Sequence, residues 1–295
     1  VMPPQGGGVM EQLGVSKLWS FLDGGDGAVP VTNGVVRSGR GFRVGSYLEL
    51  AARVAELQFR NRQHVLLFRG QGGDWRSVQG RTSIMPGLLR PPPGRSRAPA
   101  ALIAARFETL SRAEALLAQA FPPGGPLGRQ RVARTRLLRW SILQHYEICP
   151  TPLLDVTHSL RVAASFASLG GGEEAFLHVL AVPNLSGAVT VHAEGGLQVL
   201  RLASMCPPVA MRPHIQEGYL LGEYPELAGP PQGLPALPHE MDFGRRMVAK
   251  FRFEPGRFWA DPAFLPVPRE ALYPGERDPL ERIAQGIRAA LDPLP

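Results

Sequence analysis

The sequence predicts an α+β fold. Three observations carry this expectation. A chain of 295 residues with 44% apolar side chains can bury a large core; it is long for one small domain and short for two ordinary ones. Capped amphipathic helices and short apolar strands both occur along it. The glycine runs Gly6–Gly8 and Gly170–Gly172 lack GxGxxG spacing, and no GxxxxGK[ST] occurs, so neither a dinucleotide-binding doubly wound sheet nor a P-loop is indicated. The expected organisation is a lead with a small decoration over 1–43, partly disordered, and one α+β domain over 44–295.

Taken in order, the opening VMPPQGGGVMEQ has no basic or apolar region of a signal peptide. It reads as a tag remnant or a disordered lead, with Met10 as an alternative start. Leu13 to Leu22 is a short amphipathic piece broken by Gly24–Gly27. Val29 to Val36, around Asn33-Gly34, carries a hairpin signal. Ser46 to Arg62 is a helix: Ser46 caps it, Glu49 three residues on completes a capping box, and Leu48, Ala51, Ala52, Ala55, Leu57 and Phe59 form its apolar stripe. His64 to Phe68 is a short apolar strand that ends at Arg69-Gly70. Gln71 to Arg97 is a long loop containing Trp75 and Pro91–Pro93. Ala100 to Phe121 is a helix, Pro122 to Gly128 a break, and Arg129 to Tyr146 a second helix. Strands are expected over Ala175–Val182, Gly187–Val191, Leu197–Leu202 and an alternating Arg246–Phe253. Polar residues of Arg212 to Gln216 directly precede another apolar strand. Pro225 to Pro238 reads as loop. Asp278 caps a closing helix to Leu291, with Pro279 in its first turn.

The formal charge is +7 with a pI near 10.1, which suits a polyanion such as DNA or RNA. Only Lys17 and Lys250 are lysines. Arginine accompanied by many prolines and glycines is equally the signature of a G/C-rich genome, and no basic block occurs. Arg129, Arg131, Arg134, Arg136 and Arg139 offer the best polyanion-contact face, or simply a solvated one. No apolar run approaches the roughly 20 residues that span a bilayer. Cys149 and Cys206 lie in separate elements without metal-ligand spacing, which points to free thiols in a reducing cytoplasm and to no metal site.

The chemistry concentrates between Leu143 and Ala167, LQHYEICPTPLLDVTHSLRVAASFA. A polar turn there leads into a helix. Arg69, at the end of an apolar strand, is either an anion clamp for phosphate or carboxylate or an internal partner of an acid such as Asp155. His145 is a general base, a nucleobase-facing group, or a histidine bonded to the turn backbone. Asp155 orients Arg69 or His145, while Thr157 or Ser159 caps the helix. Gln216 and Glu217 adjoin a strand, so only one of them can face a pocket.

Several motifs resemble the FRG domain, a bacterial family named for Phe-Arg-Gly. Phe68-Arg69-Gly70-Gln71 is similar to its opening motif. Trp75 and the turn over Ser83–Leu89 fall where it has a tryptophan and a Pro-x-Leu-x-Arg segment. Gln144-His145-Tyr146, Pro150-Thr151, Leu153-Leu154-Asp155 and Thr157 resemble its central QHYGxPTRLLDWT. Ala163, Phe166-Ala167, Arg212, Gln216-x-Gly218 and Leu272-Tyr273-Pro274 resemble later segments. The likeness spans about Val44 to Leu291. Glu147, Pro152 and Val156 replace the family's glycine, arginine and tryptophan.

A second, weaker resemblance is to ADP-ribosyltransferases, which bind NAD with a strand-end arginine, a Ser/Thr turn before a small-residue helix, and a late Gln or Glu. It implies an ADP-ribosyltransferase-like fold, a split antiparallel or mixed β-sheet with flanking helices, with NAD as substrate and no metal. Arg69, Gly70, Gln71, Gln144, Asp155, Thr157, Ser159 and Phe166 would hold NAD; Gln216, Glu217 and His145 would carry catalysis. It implies transfer to a macromolecule such as nucleic acid, in a toxin or phage-defence setting with an antitoxin or defence-system partner. The alternatives are a non-catalytic nucleotide- or nucleic-acid-binding module using the Arg69/Asp155 cleft, and a nuclease-like hydrolase using His145 and Asp155.

Overall fold

The computed structural model describes residues 16–121, 128–193, 195–227, 229 and 242–291. The chain opens with β1 (Leu18–Ser20), β2 (Val29–Val31), α1 (Asn33–Ser38), β3 (Phe42–Arg43), α2 (Tyr47–Arg60) and β4 (Val65–Gln71). A long connection leads to α3 (Ala100–Gln119), α4 (Arg129–Arg134) and α5 (Arg136–His145). Then follow β5 (Leu154–Thr157), α6 (Leu160–Ser168), β6 (Ala175–Val182), β7 (Val189–His192), β8 (Leu197–Arg201), α7 (Leu202–Met205), α8 (Met211–Ile215) and β9 (Gly218–Glu223). The chain closes with β10 (Met247–Phe253), α9 (Pro255–Phe258), α10 (Arg269–Leu272) and α11 (Pro279–Ala290).

The fold is α+β, built on a mixed eight-stranded sheet in the order β3-β10-β6-β4-β5-β9-β8-β7. Every pairing in it is antiparallel except β3 with β10. The central strands are covered on both faces. Leu66, Leu67 and Phe68 of β4 are all buried, and so is every residue of β10, including Lys250 and Arg252. The expected alternation in Arg246–Phe253 is therefore absent, because a strand covered on both sides has no solvent face. A first apolar cluster packs α2 and α6 on β4, β6 and β10. A second joins α3, α5 and α11 to Leu200 and Leu220 of β8 and β9. Phe21, Ala28, Val36 and Phe42 belong to the first cluster, so the boundary expected at residue 44 marks no break in the core.

Local signals placed several elements closely. Ser46 accepts from the Glu49 amide at 3.2 Å, and Glu49 reaches back to the Gly45 amide at 2.8 Å. Asp278 caps α11 through the Leu280 amide at 3.0 Å. Other expectations are corrected. Asn33-Gly34 starts α1 rather than turning a hairpin; β2 instead pairs antiparallel with β1, the strand within the expected amphipathic piece, so the turn falls at the glycines near residue 25. In α2 the buried stripe is Leu50, Val54 and Leu57, while Leu48 and Phe59 are exposed. Helix 129–146 breaks at Thr135, whose backbone is extended. The strand expected to end at Arg69-Gly70 runs on to Gln71, and the residues before β9 form α8. The expected lead over 1–15, most of Pro122–Gly128 and most of Pro225–Pro238 lie outside the described residues. Among those described, no helix is long and apolar enough to cross a membrane.

One close approach sets where the sheet and its helices can sit. A Cβ on Gly70 would lie 1.8 Å from the Ala163 carbonyl oxygen and 2.7 Å from the Ala167 nitrogen. Helix α6 thus rests its backbone directly on the end of β4, and only glycine beneath small residues permits this. Gly70→Ala is expected to cost about 3 kcal/mol or more, because backbone must move to admit the methyl group. Gly72→Ala, whose Cβ would find its nearest neighbour at an ordinary 3.5 Å, should be nearly neutral. Urea unfolding of both variants checks this; equal stabilities would contradict the packing argument.

Candidate functional site

A cleft of about 360 Å³ opens at the end of β4, between the start of β9, the C-terminus of α5 and helix α6. Its floor comes from Arg69, Asp155, Thr157 and Gly218, and its walls from Gln144, His145, Glu147, Phe166, Arg212, Gln216 and Tyr273. Trp75 stands at its rim. The volume lies within the range of small-molecule sites.

Asp155 organises the inner end. Its Oδ2 accepts from Gln144 Nε2 at 2.6 Å, and its Oδ1 lies 3.2 Å from His145 Nδ1. The Gln144 amide is oriented in turn by Thr151, which donates to Oε1 at 2.5 Å and accepts from the Leu153 amide at 3.1 Å. This chain of bonds gives the Gln-His…Pro-Thr…Asp spacing its physical meaning: the turn after α5 must fold back for Thr151 to reach Gln144. Burial opposes ionisation of Asp155, but the bonds from His145 and Gln144 and the charge of Arg69 outweigh it and hold its carboxyl below the usual carboxylate range. An ionised carboxylate only accepts, so His145 Nδ1 carries the proton and Nε2 is the acceptor in the neutral ring. That Nε2 is buried and has no partner in the protein.

Arg69 donates from Nη1 to the backbone carbonyl of Asp155 at 2.5 Å. The expected pairing with Asp155 is real but uses the carbonyl, while the carboxylate bonds to α5. Arg69 Nε is buried without a partner. Burial lowers the guanidinium pKa, Asp155 opposes this, and Arg90 adds to it; an arginine stays charged regardless. Arg69 is paired in register with His178 of β6, and His178 with Lys250 of β10. The three side chains therefore share one face of the sheet. His178 is fully buried, and burial, against the opposing pull of Asp74 and together with Lys250 and Arg69, pushes its pKa down to about 3.

The opposite wall combines three distant segments. Glu147 follows α5 with φ 53°, a left-handed conformation that favours glycine. The Ile148 amide closes the helix end on the Leu143 carbonyl at 2.9 Å. The Glu147 carboxylate accepts from Arg212 Nη2 at 3.1 Å and from the Tyr273 hydroxyl at 3.3 Å. Arg212 is almost wholly buried, lies over the rings of Tyr146 and Tyr273 at 5.2 and 4.7 Å, and leaves Nε without a partner. Asp278 anchors this wall by accepting from the Tyr146 hydroxyl at 2.7 Å and from the Met211 and Arg212 amides at 3.0 Å.

Of the residues singled out from sequence, Arg69, Gly70, Gln71, Gln144, His145, Asp155, Thr157, Phe166 and Gln216 all line the cleft. Ser159 and Glu217 do not. Ser159 caps α6 by accepting from the Val162 amide at 3.5 Å. Thr157 instead ties two segments, donating to the Gln216 carbonyl at 2.7 Å and accepting from the Ser159 amide at 2.9 Å. Gln216 is the C-cap of α8 and donates to the Leu272 carbonyl at 2.7 Å. Glu217 is exposed with φ 45°. Only one of the two faces the cleft, as expected, but the cause is a turn before β9 and not strand alternation. Glu147 is the acid the sequence reading passed over; its position where the resemblance has glycine was the available signal. Arg136 and Arg139 both lie against Glu114, at 3.5 and 3.2 Å, whereas Arg129, Arg131 and Arg134 are exposed. Cys149 and Cys206 are free, and burial pushes both thiols up to about 12, which makes them poor nucleophiles. Among the described residues no cluster of three or more His, Cys, Asp and Glu is gathered for a metal.

The chain matches no family model, and no curated protein and no solved structure is significantly similar to it.

The lowered Asp155 pKa has a signed consequence. A carboxyl held below its unfolded value contributes stability that is full above the ordinary carboxylate range and is lost as pH falls through the folded pKa. Asp155→Asn should therefore be less stable than the parent at pH 7, with the gap closing below about pH 4. Urea titrations at both pH values check this; a gap that persists unchanged in acid would remove the electrostatic account.

Proposed function

We propose that the protein is an ADP-ribosyltransferase-like enzyme of the FRG type, which uses NAD to modify a macromolecule. One observation carries the reading. The three features of the analogy, scattered over more than half the sequence, meet in one cleft on neighbouring strands: Arg69 at the end of β4, Thr157 at the end of β5 before the small residues of α6, and Gln216 beside the start of β9. Two buried arginine nitrogens without partners, on Arg69 and Arg212, supply donors for a pyrophosphate. Phe166 and Tyr273, edge to face at 5.9 Å, offer an aromatic lining for a ring.

In this reading the bond between ribose C1′ and the nicotinamide nitrogen breaks, and its electron pair leaves with nicotinamide. The oxocarbenium-like ribose is stabilised electrostatically by a carboxylate of the cleft. Glu147 and Asp155 are the carboxylates that line the cleft, and Glu217, which does not line it, is not used. Gln216 Oε1 accepts from a ribose hydroxyl. An acceptor oxygen or nitrogen then attacks C1′ with its lone pair and gives its proton to His145 Nε2. The products are nicotinamide, the ADP-ribosylated acceptor and one proton. The basic character of the chain favours a nucleic-acid acceptor, in a bacterial toxin or phage-defence role with a cognate inhibitor or defence partner.

The His145–Asp155 pair also suits a hydrolase in which Nε2 activates water. Labelled NAD, incubated with the protein and DNA, RNA or protein acceptors, separates the readings. Transfer is expected to fall at least about 100-fold in Arg69→Ala and to stay within about twofold in Arg62→Ala, a change at an exposed position in the turn after α2. Cleavage of nucleic acid without consumption of NAD, lost in His145→Asn, would replace transfer with hydrolysis. Salt-dependent nucleic-acid binding with neither activity would make this a binding module.

A further inference from the structure

Of the four tryptophans, three are packed. Trp140 is fully buried, Trp19 lies under Arg60 at 4.4 Å, and Trp259 stacks on Tyr47 at 5.5 Å and donates to Ser168 at 2.9 Å. Trp75 differs: it lines the cleft with 67% of its surface exposed. Leaving an indole in water forgoes the burial that stabilises its neighbours, and a mobile loop would let it fold away.

The loop is not free to do so, because both residues beside Trp75 are tied down. Asp74 accepts from the buried Lys250 ammonium at 2.8 Å and from Thr82 at 2.6 Å. Arg76 donates to the carbonyls of Ser38, Gly39 and Gly80 at 3.0, 2.7 and 2.8 Å and pairs with Asp74. The Trp75 carbonyl accepts from the Ser83 amide at 2.9 Å. A backbone fixed on both sides thus holds an unpacked aromatic plane at the cleft rim. A second observation points to a ligand there. Gln71 lines the same cleft, and its Oε1 is buried without a partner; such an acceptor needs a donor.

We propose that Trp75 is the stacking platform for the adenine ring of a nucleotide bound in the cleft, with Gln71 Oε1 accepting from the exocyclic amine. Both faces of the match are chemical. A bicyclic purine covers a bicyclic indole, and base–aromatic stacking needs no sequence readout. The reacting ribose and its leaving ring stay at the inner end, among His145, Asp155, Gln216 and Phe166, so the non-reacting ring falls to the rim. The subsite deepens the NAD reading and rests on it for the identity of the whole ligand, but adenine binding can be measured without turnover.

Trp75 fluorescence provides the test, with NAD, adenosine monophosphate and nicotinamide mononucleotide as probes. The two adenine compounds are expected to quench the parent protein, and nicotinamide mononucleotide is not. Trp75→Ala should weaken adenosine monophosphate about tenfold or more. Trp75→Phe should keep affinity within a few-fold while losing the quenching. Parent-like affinity in Trp75→Ala overturns the subsite, even if NAD is still turned over. Quenching and the tenfold loss in a protein that turns over no NAD uphold the subsite and discard the transfer reading. Quenching by a single-stranded oligonucleotide but by neither adenine compound overturns it in favour of an acceptor site.

Discussion

Asp155 holds the cleft together by using its two polar ends in opposite directions. Its carbonyl takes the Arg69 guanidinium from β4, and its carboxylate takes Gln144 and His145 from α5. Sheet and helix layer are thus joined through one residue. The carboxylate acts on the Arg69 charge through space without a direct bond to it, and its bond with Nδ1 gives the histidine a fixed tautomer. This division explains why the cleft holds cation and base side by side.

The parts of this arrangement that were legible in the sequence are those fixed by local chemistry. Ser46 with Glu49 and Asp278 with Pro279 cap helices because their side chains reach their own backbone, whatever the rest of the chain does. Seven of the nine cleft residues were readable because Phe68–Gln71 and Gln144–Thr157 bring polar groups next to strand ends, whereas Phe166 and Gln216 were reached only through the resemblance. What was hidden depends on long-range contact. The wall of Glu147, Arg212 and Tyr273 is assembled from segments far apart in sequence, and nothing local says that they meet. Asn33-Gly34 is a strong hairpin signal, yet β2 already had a partner in β1, and Thr32 was left to begin a helix. In α2 two apolar stripes compete, and only packing against the sheet decides that Leu50, Val54 and Leu57 win.

Two kinds of tight backbone packing frame the site. Gly70 lets α6 lie on β4, and Gly218 leaves room for His145: a Cβ there would meet its Cε1 at 3.2 Å and Leu202 at 2.8 Å. Glycine at these positions is a spatial requirement, not a conformational one, since neither has a positive φ. Glu147 is the converse. It holds a left-handed backbone that costs about 1 kcal/mol or more for a side-chain-bearing residue, and places a carboxylate against Arg212. Strain kept at a cleft wall is the usual mark of a position where the side chain matters more than the conformation.

The row of Lys250, His178 and Arg69 across three strands has an electrical meaning of its own. Adjacent strands are about 4.8 Å apart, so the backbones of Lys250 and Arg69 stand about 10 Å from one another with His178 on the strand between them. Burial keeps that imidazole neutral through the physiological range, so it adds no charge to the row. Lys250 is answered by Asp74 at 2.8 Å, and Arg69 is left as the row's outward pole. The sheet therefore presents to the cleft floor a positive charge that sits on Arg69 and does not itself titrate across the physiological range.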